Sequence, residues 1–218
     1  MPKNERSFSS PGAKSGGGKG RRGTDKRERI LRAAIKVFAR KGFYATRVSE
    51  IAKAAGVADG TIYLYFENKD DVLVSVFEDR ITKLLVVLRK EIDEAGTFEE
   101  KLRVVVERQL GLLEGQRDLA EVVTVNLRQS SKLLKQFAAP LFTEYLDVIA
   151  SVIAEGQADG HVDPELSPRI IATGLWGALD GLALTWALGG KSTKPEALRR
   201  GASQLASVFL DGVRTHRP

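Results

Sequence analysis

Residues 48–66 constrain the fold most, because two helical patterns meet there at a glycine. The first pattern has apolar side chains at helical spacing with polar ones between them, so one face packs and the other stays in solvent. Gly56 follows at a corner where the backbone commonly needs a positive φ, which only glycine adopts without strain. Helical spacing then resumes, with Val57, Ile62 and Phe66 on the inner face. The segment therefore predicts a helix, a tight turn and a short second helix.

Two helices joined in this way are typical of a helix-turn-helix, which places the N-terminal and outer residues of its second helix in the major groove of DNA. Pairs of short helices around a glycine also occur in many helical cores, and the flanking sequence favours the first interpretation. A preceding helix is predicted for residues 25–41, ending at Gly42. Thr24 or Asp25 would cap it, with Glu28 completing a capping box.

The helix after this motif has its own start signal. Asn68 is placed to cap it, with Asp71 at the third position. Lys69 lies in its first turn, where backbone donors also favour a phosphate. A long helix from Lys69 to about Ala95 would then connect an N-terminal domain, residues 24–70, to the remainder of the chain.

Charge is distributed as DNA binding requires. The chain carries a net charge of +6. Residues 1–23 hold six basic and one acidic side chain, and residues 24–70 hold ten basic and six acidic ones, so residues 71–218 are net negative. Positive charge thus lies in the part predicted to approach DNA, and it would steer that part to phosphate.

Residues 1–23 are rich in glycine, serine and proline and contain almost no apolar residue besides Phe8. Such a segment cannot offset its ordering entropy by burial, so we expect a disordered basic arm. The arm either adds phosphate or minor-groove contacts or is a solvated extension without a role. It has no apolar run flanked by a cleavage site, so a secretory signal peptide is not expected.

Residues 71–218 predict further helices and no sheet, since no segment alternates with period two over a useful length. The expected helices cover residues 69–95, 97–115, 119–129, 131–158, 167–188 and 194–213. A capping box at Thr97 and Glu100 and a first-turn proline at Pro168 mark two of their starts. Pro140 is expected to kink or break another. The fold class is therefore expected to be all-α, with a three-helix N-terminal domain and a larger C-terminal helical domain.

Residues 170–190 form an almost wholly apolar run that is long enough to span a membrane. Asp180 lies in its middle, and a lone carboxylate at mid-depth in a bilayer is costly. Gly174, Gly177 and Gly181 permit close approach of another helix. We therefore expect no membrane span but a helix buried in a core and a subunit interface.

The sequence offers no catalytic or metal-binding constellation. It has no cysteine, which agrees with a reducing cytoplasm and excludes thiolate chemistry. His161 and His216 fit solvated positions better than a triad or a metal shell. Gly190-Lys191-Ser192 imitates the end of a phosphate loop, but Thr185 stands where that loop needs its first glycine. We expect a cytoplasmic protein that is not an enzyme and has no metal and no cofactor.

From Ile30 to Val72 the chain resembles the N-terminal domain of the tetracycline-repressor (TetR) family. The matching motifs, in order, are Ala33-Ala34, Phe38, Lys41-Gly42-Phe43, Thr46, Ile51-Ala52, Ala55-Gly56-Val57, Gly60 to Phe66 and Asn68-Lys69-Asp70. The resemblance implies an all-helical homodimer whose N-terminal helix-turn-helix binds operator DNA and whose C-terminal domain binds a small-molecule inducer. Two symmetry-related recognition helices would make the operator an inverted repeat.

The resemblance also implies roles at the DNA. The residues that it assigns to DNA binding are Thr46, Arg47, Gly60, Thr61, Tyr63, Leu64, Tyr65 and Lys69. Gly60, Thr61 and Leu64 would face base edges, and the others would reach the phosphate backbone. Asp59 departs from the lysine or arginine common at this position in the family. It would either accept from a cytosine amine or stabilise the start of the helix, and the second role is favoured.

Within that family, the chain looks like the repressors of fatty-acid degradation, whose inducers are long-chain acyl-CoA thioesters. The resemblance rests on residues 58–66 and 68–73, on Leu127-Arg128-Gln129-Ser130, on Gly174 to Asp180 and on Thr185-Trp186. The implied function is a repressor that long-chain acyl-CoA releases from its operator. A repressor of a multidrug efflux gene, induced by an aromatic or cationic molecule, would share every N-terminal feature and stays open.

An acyl-CoA needs an apolar tunnel for its chain, with polar and cationic groups near the mouth. The residues expected to bind it are Asn126, Arg128, Gln129, Phe137, Phe142, Leu146, Trp176, Leu179 and Trp186. Arg128 is the best candidate for a CoA phosphate, while Asn126 and Gln129 could hydrogen-bond the pantetheine amides. Aromatic and leucine stripes of this kind more often belong to a hydrophobic core, so the interpretation that these residues only pack together also stays open.

Overall fold

The computed structural model describes residues 18–126, 139–189 and 194–214. Throughout these ranges the chain is helical, and its one β-type pairing is an isolated bridge between Val162 and Arg214. The helices are α1 (Gly18–Lys41), α2 (Val48–Ala55), α3 (Asp59–Ile62), α4 (Lys69–Glu94), α5 (Phe98–Gly111), α6 (Arg117–Glu121), α7 (Ala139–Ala158), α8 (Pro168–Leu188) and α9 (Pro195–Val213). The predicted all-α fold is confirmed.

Helices α1, α2 and α3 form the N-terminal unit. Its core contains Ile30, Phe38, Ile51 and Ile62, which are all fully or almost fully buried. Gly56 joins α2 to α3 with φ 64°, so the turn has the left-handed conformation that its sequence predicts. Burial of these side chains on one side leaves the opposite face of α2 and α3 in solvent.

The predicted start of α1 is wrong. The helix begins at Gly18 and not at Asp25, so neither Thr24 nor Asp25 is at its N-terminus and part of the expected arm is helical. Once the buried stripe has nucleated a helix, each further residue adds a hydrogen bond, so the helix can extend past a local stop signal. Residues 1–17, the rest of that arm, lie outside the described part of the chain.

Helix α4 connects the N-terminal unit to the C-terminal helices. The Asn68 side chain accepts from the amide of Asp71 at 2.9 Å, which confirms the predicted cap. The capping box of α5 is also confirmed, with Thr97 accepting from the Glu100 amide at 3.2 Å. Helix α5 ends at Gly111, earlier than predicted, because two further turns lead from it to Gly115 at φ 70°.

The region around α6 departs from a regular helix. Helix α6 begins at Arg117 and continues as a π-helical turn over Val122–Asn126, where a regular helix was predicted over residues 119–129. Residues 127–138 lie outside the described ranges, so the expected helix start near residue 131 does too. Pro140 is the second residue of the described part of α7, so it interrupts nothing between there and Ala158.

Helix α8 is long and apolar enough, by length and composition, to cross a membrane, and it is the one helix in the described ranges that passes this test. Its inner residues Leu175, Leu179 and Trp186 are buried against neighbouring helices, chiefly α7. Its outer stripe, which contains Ile170 and Leu188, is exposed. The helix therefore packs on one side and offers an apolar stripe on the other.

Candidate DNA interface and inducer site

Two buried side chains determine which residues of the helix-turn-helix point outward. Ile62 and Phe66 are buried, and the Phe66 amide donates to the Ile62 carbonyl at 3.0 Å. Regular α-helix covers only Asp59–Ile62, and turns continue the helical path to Phe66. Because the two buried side chains are four residues apart, Tyr63 and Leu64 point away from the core, with 58% and 79% of their surface exposed. These side chains can reach into a groove.

The structure places most of the predicted DNA-binding residues on this face. Arg47 and Gly60 are exposed, whereas Thr61 and Tyr65 are half-buried. Arg47 directly precedes α2, so it lies beside the start of the first motif helix. With Tyr63 and Leu64, this group forms the surface that we call the reading face: Arg47, Gly60, Thr61, Tyr63, Leu64 and Tyr65.

Thr46 has an internal partner. Its side chain is only 2% exposed, and its hydroxyl donates to the Gly42 carbonyl at 2.8 Å. This hydroxyl stabilises the turn after α1, and the contact of Thr46 with the DNA backbone stays a prediction. Sequence alone could not distinguish these roles, because a threonine suits both.

Lys69 also has an internal role. Its ammonium donates to the carbonyls of Phe43, Tyr44 and Thr46 at 2.8, 3.2 and 3.0 Å, and it lies 4.5 Å from the centre of the Phe43 ring. Three donors thus meet three acceptors, which satisfies the hydrogen-bonding capacity of an ammonium. In this geometry Lys69 ties the start of α4 to the loop before α2, where the sequence suggested a phosphate contact.

Tyr44 was missed by the sequence analysis. Its side chain is 71% exposed, and its ring packs edge-on against Phe43 at 5.4 Å between centroids. It lies in the same loop as Thr46, next to the reading face. The signal was an aromatic residue beside a buried one in a loop that leads into a DNA-binding helix.

One carboxylate lies near this surface and is neutralised locally. Glu50 of α2 forms an ion pair with Lys41 and accepts from the Arg47 amide at 3.1 Å. These two contacts lower the pKa of the Glu50 carboxyl below its usual value, the hydrogen bond from Lys41 contributing most. The carboxylate is therefore held by protein groups, and its charge opposes an approaching phosphate less than an isolated one would.

The predicted inducer residues fall into two groups on α7 and α8. Phe142 and Trp176 meet edge-to-face at 4.7 Å between ring centroids, and Leu146 and Leu179 are buried in the same helix pair. Trp186 is ten residues beyond Trp176 on α8, about 15 Å away along the axis. The predicted Arg128, Gln129 and Phe137 lie outside the described residues.

Asn126 stands out among the predicted inducer residues. It is 1% exposed, and its Oδ1 atom has no hydrogen-bond partner among the described residues. Its Nδ2 atom donates to the Glu121 carbonyl at 3.4 Å. Buried acceptors in proteins are normally hydrogen-bonded, and π-helical turns such as Val122–Asn126 are frequent at functional sites. A ligand with an N–H or O–H group would satisfy this oxygen.

A second feature was not anticipated from the sequence. A cleft of about 580 Å³ separates α1 and the end of α2 from α4 and the loop into α6. Its lining includes five cations and one carboxylate: Arg29, Arg32, Lys36, Arg80, Arg117 and Asp118. We call it the basic cleft. Its residues come from distant parts of the chain, and the available signal was the spacing of Arg29, Arg32 and Lys36 on one face of α1.

Within the described ranges, no group of three or more histidine, aspartate or glutamate residues is placed to hold a metal ion. The described surfaces of interest are the reading face, an apolar and aromatic helix pair with a buried polar group, and the basic cleft. This set suits binding and regulation.

Comparisons with known proteins agree with this description. The family profile "Bacterial regulatory proteins, tetR family" matches residues 30–76, and "YsiA-like protein, C-terminal region" matches residues 77–205. The fatty acid metabolism regulator protein of Bacillus subtilis (strain 168) is 35% identical over 176 residues, 81% of this chain and 91% of the relative.

Solved structures show the same relationship. The transcriptional regulator FadR from Bacillus subtilis in complex with stearoyl-CoA aligns with a TM-score of 0.78 at 33% identity, covering 86% of this chain and 99% of that one. The fatty acid degradation regulator FadR from Bacillus halodurans aligns with the same TM-score at 35% identity and the same coverage. Sequence motifs, fold and relatives agree, and the chain belongs to the TetR family of bacterial transcriptional regulators.

Proposed function

We propose that this TetR-family repressor controls fatty-acid degradation genes and leaves its operator when a long-chain acyl-CoA binds its C-terminal helices. The observation that best supports an acyl-CoA ligand is Asn126, whose buried Oδ1 atom has no donor among the described residues. An acyl-CoA offers pantetheine amide N–H groups beside an apolar chain. Asn126 lies in the π-helical turn that contacts α8, close to the apolar helix pair that would receive such a chain.

The relatives support the same ligand class. The Bacillus subtilis FadR structure contains stearoyl-CoA, and its sequence is 33% identical to this chain. The apolar helix pair α7 and α8, in which Leu146 and Leu179 are buried and Phe142 meets Trp176, would hold the acyl chain. Arg128 and Gln129, next to Asn126 in sequence, stay the predicted contacts for the CoA head, as Phe137 does for the chain.

Operator binding is assigned to the reading face. Leu64 is the most exposed large apolar side chain of the described residues, and an apolar side chain in the major groove contacts a thymine methyl group. Thr61 and Gly60 precede it at the start of the recognition helix. Arg47, Tyr63 and Tyr44 would contact phosphates, and Tyr65 stays a predicted phosphate contact.

The protein would act as a homodimer. Helix α8 has an exposed stripe from Ile170 through Gly174, Gly177 and Gly181 to Leu188, and α9, which contacts α8, has an exposed Val208. A Cβ atom added at any of the three glycines meets nothing within 4 Å, so another helix can approach closely there. Two copies joined by this stripe would present two recognition helices to an inverted repeat.

Efflux control is the second candidate. The edge-to-face pair of Phe142 and Trp176 would also suit a flat aromatic inducer, because aromatic rings prefer this arrangement with one another. Both candidate functions use the reading face for the operator and the α7–α8 pair for the inducer. The identity of the inducer separates them.

The test is release of a labelled operator duplex, containing the inverted repeat found near the protein's own gene, followed by fluorescence anisotropy. Acyl-CoAs of graded length, free fatty acids, CoA and cationic dyes are added to the complex. Release by long acyl-CoAs, but not by CoA or dyes, is the expected result. Release by dyes alone would move the protein to efflux control, and the absence of a specific complex would refute the repressor assignment for this chain.

A further inference from the structure

The basic cleft has five cationic side chains and one carboxylate in its lining. Arg32 lies 3.9 Å from Glu28, and Arg80 lies 3.7 Å from the adjacent Asp79. Lys36 is exposed, and no ion pair joins it to a described residue. The first pair is exposed and the second is half-buried, and neither is short enough for a hydrogen bond. The cleft therefore attracts an anion.

The lining and the volume of the cleft indicate which kind of anion it binds. Arg32 and Lys36 belong to α1, whereas Arg80 belongs to α4 and Arg117 to α6, so cations face the cleft from both domains. A volume of about 580 Å³ lies within the range of small-molecule sites. Arginine forks and lysine ammonium groups bind phosphate well, the arginines in a bidentate manner.

Arg117 links this cleft to the C-terminal helices. Its guanidinium lies 4.7 Å from the centre of the Trp186 ring and donates to the Ala187 carbonyl at 3.3 Å. Trp186 belongs to α8, which also carries the apolar residues assigned to an acyl chain. Arg117 thus lies between the cleft and α8. A ligand with a phosphorylated head and an apolar tail would place its head in the cleft and its tail along α8.

Arg29 links the cleft to the DNA-binding motif. Its Nη2 atom donates to the Ala55 carbonyl at 2.8 Å and lies 3.5 Å from the Gly56 carbonyl, at the corner between α2 and α3. Ala54 and Ala55 themselves line the cleft. A phosphate beside Arg29 competes with the Ala55 carbonyl for the guanidinium. Loss of that contact would loosen the turn that sets the recognition helix against α2.

We propose that the basic cleft binds the phosphates of a nucleotide, and that this binding weakens operator affinity through Arg29. Where this nucleotide is the head of an acyl-CoA, the inference rests on the proposed function. A free nucleotide has the same chemistry and is the other source.

The test compares Arg32→Gln/Lys36→Gln with a control of equal charge loss, Lys90→Gln/Arg103→Gln. All four side chains are exposed, and neither control residue lines the cleft. Operator affinity without ligand is measured for each protein, so that release is compared at equal initial occupancy. Thermal unfolding shows that the variants are folded.

In the cleft variant, half-release of the operator is expected to need at least about tenfold more long-chain acyl-CoA, because charged hydrogen bonds to phosphate are lost. The control is expected to match the unaltered protein. Equal acyl-CoA requirements for all three proteins would overturn the inference and leave the proposed function intact.

Calorimetry with 3′,5′-ADP distinguishes the two sources. Binding that the cleft variant loses assigns the cleft to free nucleotides as well as to CoA. If 3′,5′-ADP does not bind but the cleft variant needs more acyl-CoA for operator release, the cleft binds only the nucleotide head of the thioester. If acyl-CoA does not release the operator from the unaltered protein, the proposed function fails. The 3′,5′-ADP titration then decides on the cleft, and absence of binding there refutes it.

Discussion

The Arg29 guanidinium donates a 2.8 Å hydrogen bond to the carbonyl of Ala55, twenty-six residues further along the chain. This contact joins α1 to the last residue of α2, where unsatisfied carbonyls carry partial negative charge that favours a cation. Gly56 follows at φ 64°, and a Cβ added to it would lie 3.3 Å from the same guanidinium. The corner of the helix-turn-helix is thus held by an arginine that also lines the basic cleft.

Replacing this arginine tests its positioning role. Arg29→Gln is expected to weaken operator binding about tenfold without inducer, and to lower the free energy of unfolding by only about 1 kcal/mol, as for one hydrogen bond. Anisotropy with labelled operator and urea unfolding measure the two effects. Lys90→Gln is the control for charge loss. Operator affinity equal to that of this control would show that Arg29 does not position the motif.

The base and phosphate contacts proposed for the reading face can be tested separately. Leu64→Ala is expected to change the preferred base at one operator position, because a lost methyl contact affects only the base pair it touches. Tyr63→Phe is expected to weaken all sequences alike by removing a phosphate hydrogen bond. Binding to an operator set with single base changes measures both. A uniform loss for Leu64→Ala would place that side chain outside the groove.

Lys69 distinguishes a structural role from a phosphate contact. Lys69→Met leaves three carbonyls without their donor, so the free energy of unfolding is expected to fall by about 2 kcal/mol. Lys90→Met, on the exposed side of the same helix, is expected to change it by less than about 0.5 kcal/mol. Urea unfolding measures the difference. Reduced operator affinity with unchanged stability would instead support the phosphate contact predicted from the sequence.

Gly177 tests the proposed dimer surface. Gly177→Arg is expected to leave each subunit folded, since nothing lies within 4 Å of a Cβ at this position, but to block close approach of a second α8. The dimer dissociation constant should rise at least about 100-fold, as for a severe interface disruption. Analytical ultracentrifugation measures it. Gly111→Arg, also open in the subunit, is the control, and a dimer as stable as the control would locate the interface elsewhere.

Asn126 tests the inducer site. Asn126→Ala removes an oxygen that has no donor among the described residues, so the free energy of unfolding should change by less than about 1 kcal/mol. The acyl-CoA concentration needed for operator release should rise about tenfold, since a ligand hydrogen bond is lost. Thr124→Val is the control, because that hydroxyl already donates to the Ala120 carbonyl at 2.7 Å. An unchanged release curve would remove Asn126 from the site.

Local signals predicted much of this fold. The positive φ at Gly56, the cap at Asn68 and the capping box at Thr97 each depend on neighbouring residues, so a short stretch of sequence was sufficient to place them. The start of α1 was predicted wrongly because its local cap at Thr24 competes with extension of an already nucleated helix. The π-helical turn at Asn126 has no comparable local signal.

Contacts between distant residues could not be predicted in the same way. Lys69 meets carbonyls more than twenty residues earlier in the chain, so its role depends on how that loop folds. The basic cleft likewise brings Arg29 and Arg32 to Arg117 only after the two domains have packed. Residue type suggested phosphate binding for Lys69, but only the assembled geometry separates a structural cation from one that faces a cleft.

The proposed function requires that inducer binding and operator binding oppose each other. Thermodynamic linkage requires the coupling to be reciprocal. The most direct measurement is calorimetric titration of the homodimer with stearoyl-CoA, with and without saturating operator duplex. The account predicts that operator weakens stearoyl-CoA binding by the same factor by which stearoyl-CoA weakens operator binding, with a scrambled duplex having no effect. Equal stearoyl-CoA affinity in the presence and absence of operator would contradict it.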